Sequence, residues 1–174
     1  MGDAFERELK RLLANDEKTM TNMLKTCDED ERRGYLSIDR YPFVVIRAAG
    51  SLGVDLVAIR GDLALPIEVK SSAEDTLRFS RNQRLSEQAQ RMKDDCELAD
   101  LVPIYAFRLK GMRGDPWRVF TLETSPISGR LGLIQRRLPS IEENAKGNLI
   151  MRWNDGMKLS RFIEYLAFLS TGGE

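Results

Sequence analysis

Three charged residues, Asp55, Glu68 and Lys70, have the types and spacing of a metal-dependent hydrolytic site. Asp55 precedes one apolar run, and the other two lie in a second run beyond the turn-forming pair Gly61-Asp62. This pattern predicts a β-hairpin, and because side chains alternate along a strand, Glu68 and Lys70 share one face. Pairing of the strands would bring the Asp55 carboxylate close to Glu68. Two carboxylates beside a lysine are typical of a site for a hard divalent cation.

Each of these residues also has a purely structural interpretation. A glutamate and a lysine two positions apart on a half-buried strand usually form a solvated face, and an aspartate that begins a strand is usually a turn residue. The combined order is more specific, because the twelve residues between Asp55 and Glu68 have the length of a single hairpin. On spacing alone, both interpretations stay open.

Glu6 is a further candidate acid, near the start of the chain. An apolar stripe that includes Phe5 and Leu9 predicts a helix there. Asp3 and Glu6 have the spacing of a capping box, so Glu6 has a structural interpretation as a helix cap. Alternatively, Glu6 lies at the border of the apolar stripe, from where its carboxylate can lean into a site. The neighbouring Arg7 would then meet phosphate.

Arg47 and Ser51 flank the proposed metal site. A β-branched run from Tyr41 to Arg47 predicts a strand, and the tight turn 48–51 leads from it into the hairpin. The structural interpretation of Arg47 is a salt bridge at a strand end, and that of Ser51 is a turn hydroxyl.

The composition bounds the class of protein. With 174 residues, the chain forms one domain and can bury a core without disulfides or structural metals. Two cysteines and no histidine exclude a disulfide framework and a Cys/His zinc site, and they fit a reducing cytoplasmic location. No apolar run approaches membrane-spanning length, and the first residues are acidic where a signal peptide is basic. We therefore expect no membrane association.

The charge of the chain is balanced in sum but uneven in distribution. The formal net charge is zero, which argues against nucleic-acid binding by bulk charge alone. Segment 108–137 is nevertheless rich in arginine, whereas segment 28–31 reads DEDE. An ordinary mixed surface explains this asymmetry equally well.

The hydrophobic patterns predict the order helix, three strands, helix, three strands, helix, which is an α/β fold with a mixed sheet. The second helix begins after Ser80, which we interpret as its cap. Segments 16–40 and 124–147 interrupt this order. In the first we expect one short helix followed by an exposed connection, DEDERRG, and in the second a long loop.

Five sequence stretches together resemble the archaeal-type Holliday junction resolvases, which are restriction-endonuclease-like nucleases with a PD-(D/E)xK site. In chain order these stretches are FERELKRLL, VIRAAGSLGVDLVA, IEVK, VPIYAFRLKG with PWRVF, and NDGMKLSRFIEYL. The resemblance covers nearly the whole chain, so it implies a single nuclease domain over residues 1–174. Its gaps, at about 16–40 and 124–147, would be insertions.

The resemblance also implies a role for each candidate residue. Glu6, Asp55 and Glu68 would be acidic metal ligands, and the carbonyl of Val69 would complete the protein ligands. Lys70 would position or activate the attacking water. Arg7, Arg47 and Ser51 occupy positions that contact the scissile DNA backbone in the family. The implied cofactor is Mg²⁺, with Mn²⁺ as a substitute.

By the same resemblance, the protein would resolve four-way DNA junctions in recombination and repair and leave 5′-phosphate and 3′-hydroxyl ends. The implied partners are branched double-stranded DNA and a second copy of the chain, since a two-fold homodimer matches a two-fold symmetric junction. A sliding clamp or a helicase as recruiting partner stays open. The alternatives are a related nuclease that cuts other DNA structures, and a non-catalytic DNA-binding module of the same fold.

Overall fold

A mixed sheet of six strands organises the part of the chain that the structure, a computed structural model, describes: residues 2–48 and 53–172. In spatial order its strands are β1 (Val44–Arg47), β2 (Leu56–Arg60), β3 (Leu63–Ser72), β5 (Ile104–Leu109), β6 (Trp117–Thr121) and β9 (Met157–Lys158). β3 and β5 are parallel, and the other neighbours are antiparallel. The predicted α/β class with a mixed sheet is confirmed.

Helices cover both faces of this sheet. They are α1 (Gly2–Leu13), α2 (Glu17–Leu24), α3 (Glu29–Leu36), α4 (Gln83–Ala99), α5 (Gly129–Arg137) and α6 (Leu159–Ser170). α4 lies in the crossover that the parallel pair β3 and β5 requires. In the described residues, no helix has the length and apolar character needed to cross a membrane.

Two hydrophobic cores lie on opposite faces of the sheet. Leu9 and Leu12 of α1 pack with Phe162 of α6 in the first core. Met92 of α4 packs with Phe107 of β5 in the second. The second core also includes a small sheet of β4 (Thr76–Arg78), β8 (Leu149–Arg152) and β7 (Glu142–Glu143). Together the two cores hold the end of β3 between α1 and α4.

The predicted hairpin is present as β2 and β3. Leu56 lies opposite Ile67 and Arg60 lies opposite Leu63, so only two residues form the turn. Gly61 in this turn has a φ of 57°, a left-handed conformation that glycine adopts without steric cost. The hairpin therefore has the register that the sequence predicts.

Segment 28–34 is not the exposed connection that we expect from its charges. It begins α3, where Asp28 and Glu31 form a reciprocal capping box. Glu31 is only 8% exposed and accepts a hydrogen bond from Lys158 Nζ at 2.9 Å. The prediction is wrong because acids near a helix N-terminus satisfy free backbone N–H groups and favour the helix dipole.

The long loop predicted over 124–147 is also wrong, since this segment contains α5 and β7. Ile134 of α5 is fully buried in the first core. At Gly132 a Cβ atom would lie 1.9 Å from the Ile127 carbonyl oxygen, so the helix packs against backbone where only glycine fits. The glycines that suggest a loop in the sequence permit this close packing instead.

Two predicted helix caps are wrong. α4 begins after Asn82, whose side chain accepts a hydrogen bond from the Arg84 N–H at 2.9 Å. Ser80 does not cap α4, because it lies inside a short 3-10 turn, Phe79–Arg81, that precedes the helix. α1 begins at Gly2, so Asp3 lies inside its first turn and does not cap it.

Candidate active site

Asp55 directly precedes β2, and both its backbone and its side chain form hydrogen bonds with β3. The Asp55 N–H donates to the Ile67 carbonyl at 3.1 Å, and its Oδ2 accepts a hydrogen bond from the Val69 N–H at 2.7 Å. This pair of bonds fixes the carboxylate at the edge of β3. Because the N–H and C=O of a strand residue point to the same edge, the Val69 carbonyl lies on the Asp55 side as well.

Glu68, Lys70 and Gln88 form a closed ring of hydrogen bonds beside this edge. Lys70 Nζ donates to Glu68 Oε1 at 2.8 Å and to Gln88 Oε1 at 3.0 Å. Gln88 Nε2 donates to the same Glu68 oxygen at 2.8 Å. Glu68 and Lys70 therefore share one face, as alternation along the strand predicts. Gln88 reaches them from α4, on the side of the second core.

Within the described residues, the second oxygen of Glu68 accepts no hydrogen bond. Glu68 is 2% exposed, and its buried Oε2 has no partner among residues 2–48 and 53–172. An unpaired buried carboxylate oxygen is unfavourable unless a cation or proton meets it. Together with the Asp55 carboxylate and the Val69 carbonyl, this oxygen offers the hard donor set that Mg²⁺ and related cations prefer. The residues present therefore fit a divalent cation.

Both carboxyl groups hold protons more tightly than usual. Burial raises the pKa of Glu68 to about 7, although Lys70 lowers it and the charge of Asp55 raises it further. Burial also raises the pKa of Asp55, against the hydrogen bond from the Val69 N–H. Burial disfavours the ionised form of each acid, and a neighbouring carboxylate adds to this effect: Asp55 raises the pKa of Glu68, and Glu6 raises that of Asp55. A bound cation would reverse this effect and allow both carboxylates to ionise.

Glu6 does not join the two other acids. Its Oε2 accepts a hydrogen bond from Arg47 Nη2 at 2.9 Å, and the same nitrogen donates to Asp3. The charge of Glu6 still contributes to the raised pKa of Asp55. Over the described ranges, no group of three or more acid, histidine or cysteine side chains is arranged to hold a metal ion. The structure thus brings together two of the three predicted acids, and it pairs the third with an arginine.

The three predicted DNA contacts have different outcomes. Arg47 ends β1 directly opposite Leu56, next to Asp55. Arg7 forms an ion pair with Asp3 at 2.6 Å and is about half exposed. Ser51 lies outside the described residues.

Two further residues belong to the site that the sequence does not indicate. The sequence pattern assigns Gln88 to the solvent face of its helix, yet it binds both Glu68 and Lys70. Tyr105 lies opposite Glu68 on β5, and its buried hydroxyl has no partner in the described chain. Burial, followed by the charge of Glu68, raises the pKa of Tyr105 well above its usual range.

A comparison with models of protein families assigns the chain to a family. The family model described as archaeal Holliday junction resolvase (Hjc) matches residues 28–124, more than half of the chain. This match includes Asp55, Glu68 and Lys70, and it begins after Glu6 and within segment 16–40. None of the curated proteins matches the sequence.

A solved structure shows the same fold. The Holliday junction resolvase Hjc from the hyperthermophile Archaeoglobus fulgidus is 19% identical to this chain, with a TM-score of 0.50. The likeness covers 93% of this chain and 94% of the other. At this identity, the similarity concerns the fold, which is that of a nuclease of this type. The match to the family model carries the assignment: the chain belongs to the archaeal Holliday junction resolvase family and is a nuclease that resolves four-way DNA junctions.

Proposed function

We propose that this resolvase hydrolyses DNA phosphodiesters with Mg²⁺, for which Mn²⁺ substitutes, at a site formed by Asp55, Glu68 and the Val69 carbonyl. The observation that carries the proposal is the buried Glu68 Oε2, which has no protein partner in the described residues and lies beside a second carboxyl group of raised pKa. When bound, the cation would neutralise the anionic phosphodiester, lower the pKa of water and stabilise the leaving 3′ oxygen.

Lys70 supplies a positive charge at the same place. Its ammonium group is held by Glu68 and Gln88 and is only 15% exposed. In this largely desolvated position, a cation stabilises negative charge on an attacking water or a phosphate oxygen more strongly than it would in bulk water. We assign Lys70 to positioning or activating the attacking water.

Gln88 acts through its neighbours and is a positioning residue. Its amide nitrogen and the Lys70 ammonium occupy Glu68 Oε1 together, which directs Oε2 away from Lys70. Hydrogen bonds of this kind orient the residues that bind a metal. We therefore assign to Gln88 the task of keeping one glutamate oxygen available for the cation.

Glu6 stays a proposed ligand through its second oxygen. Arg47 occupies Oε2, whereas Oε1 forms no hydrogen bond or ion pair within the described ranges. Because Arg47 is bound by two acids, a DNA phosphate would compete with Asp3 and Glu6 for its guanidinium group. Arrival of the substrate would then release Glu6 towards Asp55. We assign Arg7 and Arg47 to the DNA backbone near this point. For Ser51, the assignment to the DNA backbone follows from the family resemblance alone.

The substrate and assembly follow from the family. We infer that the whole chain forms one nuclease domain, with segments 16–40 and 124–147 as insertions, and that two copies form a dimer. Contacts to phosphates carry no base information, so we expect recognition of junction shape rather than sequence, with affinity that falls steeply as salt rises.

The test compares cleavage of a four-way junction, a matched duplex and a flap, each with Mg²⁺ and with EDTA. We expect cleavage of the junction alone, only with metal, and a rate at least about a hundredfold lower in Asp55→Asn, because even partners outside the ligand shell contribute 10–100-fold. Asp62→Asn, at the exposed turn of the same hairpin, is the matched control and should cut normally. Normal cutting by Asp55→Asn would refute the site, and equal cutting of all three substrates would refute junction selectivity.

A further inference from the structure

A cleft of about 470 Å³ lies between α1 and α2, beside the turn that connects β5 to β6. We call it the α1–α2 cleft, and the side chains that matter here are Arg7, Glu8, Arg11, Asn22, Thr26 and Arg108. Its volume is in the range of ligand-binding clefts. Its wall on α2 comes from segment 16–40, whose sequence has no motif that indicates chemistry.

Positive charge dominates this cleft. Three of its lining residues are arginines and one is an acid, Glu8. Glu8 is already neutralised, because it accepts hydrogen bonds from Arg108 Nε at 2.8 Å and Nη2 at 3.3 Å. Arg7 is paired with Asp3. Arg11 is exposed and forms no salt bridge in the described part of the chain, so its guanidinium is the available cation.

Polar donors accompany this charge on the α2 side. The Asn22 side-chain oxygen accepts from Lys25 Nζ at 3.0 Å, which leaves its amide nitrogen to donate. The Thr26 hydroxyl accepts from the Gly114 N–H at 3.1 Å, so its hydrogen is also available. Guanidinium, amide and hydroxyl donors around a cleft are the groups that bind phosphate oxygens.

The cleft lies at the same end of the sheet as the candidate active site. Arg7 directly follows Glu6, whose charge acts on Asp55. Arg108 lies opposite Ser71 in the register, one position beyond Lys70. The active-site ring faces α4, whereas the cleft faces α1. A DNA strand that crosses this end of the sheet, from the α4 face to the α1 face, would therefore pass from the candidate active site to the cleft.

We propose that the α1–α2 cleft binds the phosphodiester backbone of one junction arm next to the cut, with Arg11 as its principal contact. The proposal rests on the proposed function, because it takes the active site from there. The lining offers guanidinium, amide and hydroxyl donors for phosphate oxygens, and contacts to phosphate carry no sequence information. Segment 16–40 thus extends the DNA-binding surface in a chain whose net charge is zero.

The test measures junction binding by Arg11→Gln as a function of salt, in the Asp55→Asn background so that cleavage does not interfere. Losing one phosphate contact should weaken binding about fivefold to tenfold at 0.1 M salt and reduce the slope of log K against log salt by about 0.9. Arg11→Lys should keep the slope. The matched control is Arg136→Gln, which also removes one exposed arginine. It lies on α5, whose Arg130 contacts Asp62 at the opposite end of the hairpin.

The outcomes separate this proposal from the proposed function. Equal binding by Arg11→Gln and Arg136→Gln would overturn the cleft assignment, even if Asp55→Asn abolishes cleavage as expected. Normal cleavage by Asp55→Asn would refute the proposed active site, regardless of how Arg11→Gln binds the junction. Ethylation interference gives a second measurement: phosphates beside the cut should lose interference in Arg11→Gln alone. Since Arg11 is exposed, we expect both arginine variants to fold normally.

Discussion

Glu68 and Asp115 are buried to nearly the same extent, but they differ in how many of their carboxylate oxygens accept hydrogen bonds. Asp115 is 1% exposed, and both of its oxygens are used: Oδ1 accepts from the Tyr35 hydroxyl at 2.6 Å and Oδ2 from the Ser160 N–H at 2.9 Å. Glu68 is 2% exposed, and all its hydrogen bonds fall on one oxygen. Burial raises the pKa of both groups. Desolvation alone therefore does not distinguish a structural acid from a functional one.

A tyrosine on a neighbouring element lies beside each of these carboxyl groups. The two tyrosines differ in whether their hydroxyl group forms a hydrogen bond. The Tyr35 hydroxyl donates to Asp115, whereas the Tyr105 hydroxyl has no partner in the described residues although it lies opposite Glu68 in the sheet. A satisfied network fixes one packing arrangement, while unused donors and acceptors leave free energy available for a ligand. The Asp115 network ties α3 to β6 and α6, whereas we propose that the ring of Glu68, Lys70 and Gln88 serves the reaction.

The largest effect is expected from breaking the satisfied network. In Asp115→Asn, an amide group would face N–H and O–H donors, and the free energy of unfolding should fall by about 3–5 kcal/mol. Urea denaturation measures this change. Asp39→Asn, an exposed acid that accepts one hydrogen bond from Asn15, should change stability by less than about 0.5 kcal/mol. Similar stabilities for the two variants would show that the hydrogen bonds of Asp115 do not stabilise the fold.

At the candidate active site, a substitution should affect metal binding and cleavage more than stability. Gln88→Leu removes two hydrogen bonds from the ring of Glu68, Lys70 and Gln88, so Mn²⁺ affinity and the cleavage rate should each fall about 10–100-fold. The free energy of unfolding should fall by about 1–3 kcal/mol, less than in Asp115→Asn, because Glu68 and Lys70 still bind each other. Titration of free Mn²⁺ by electron paramagnetic resonance reads the affinity without turnover. Gln90→Leu is the matched control, since Gln90 donates a hydrogen bond to the exposed Asp94 on the same helix. Equal metal affinity in both variants would remove Gln88 from the site.

The smallest expected effect sharpens the comparison of the two tyrosines. At pH 7, Tyr35→Phe should lower the free energy of unfolding by about 1–3 kcal/mol because Asp115 loses a donor. Tyr105→Phe, which loses no protein hydrogen bond in the described chain, should lower it by less than about 1 kcal/mol. Equal losses would contradict the assignment of Tyr35 to a satisfied network.

The dependence of stability on alkaline pH gives a second test of the two tyrosine variants. Burial raises the pKa of both tyrosines above 10, so above pH 10 the unfolded chain loses protons that the folded chain keeps. The folded state binds more protons there, and stability therefore falls as pH rises. Each Phe variant should reduce this fall by up to about 1.4 kcal/mol per pH unit, measured by denaturation between pH 10 and 11.5. An unchanged slope in Tyr35→Phe would show that its hydroxyl is not buried as described.

Local chemistry explains why much of the site could be predicted from sequence. A Gly-Asp turn determines the hairpin register, and side-chain alternation places Glu68 and Lys70 on one face. The same patterns mislead for DEDERRG and for segment 124–147, where charges and glycines that suggest loops instead cap and pack helices. In the first segment Glu31 both caps its own helix and meets Lys158, 127 positions away. In the second, Ile134 is buried in a core formed by distant elements, which the local pattern of glycines does not indicate.

The sequence by itself determined the α/β class, the hairpin and the order of the acidic and basic residues, because each depends on neighbours within a few positions. Only the tertiary structure decided that Gln88 completes the active-site ring, that Glu6 pairs with Arg47, and that Asp115 is satisfied while Glu68 is not. Those contacts join residues 20 to 80 positions apart. They form when helices pack on the two faces of the sheet, and local periodicity carries no information about which side chains then meet.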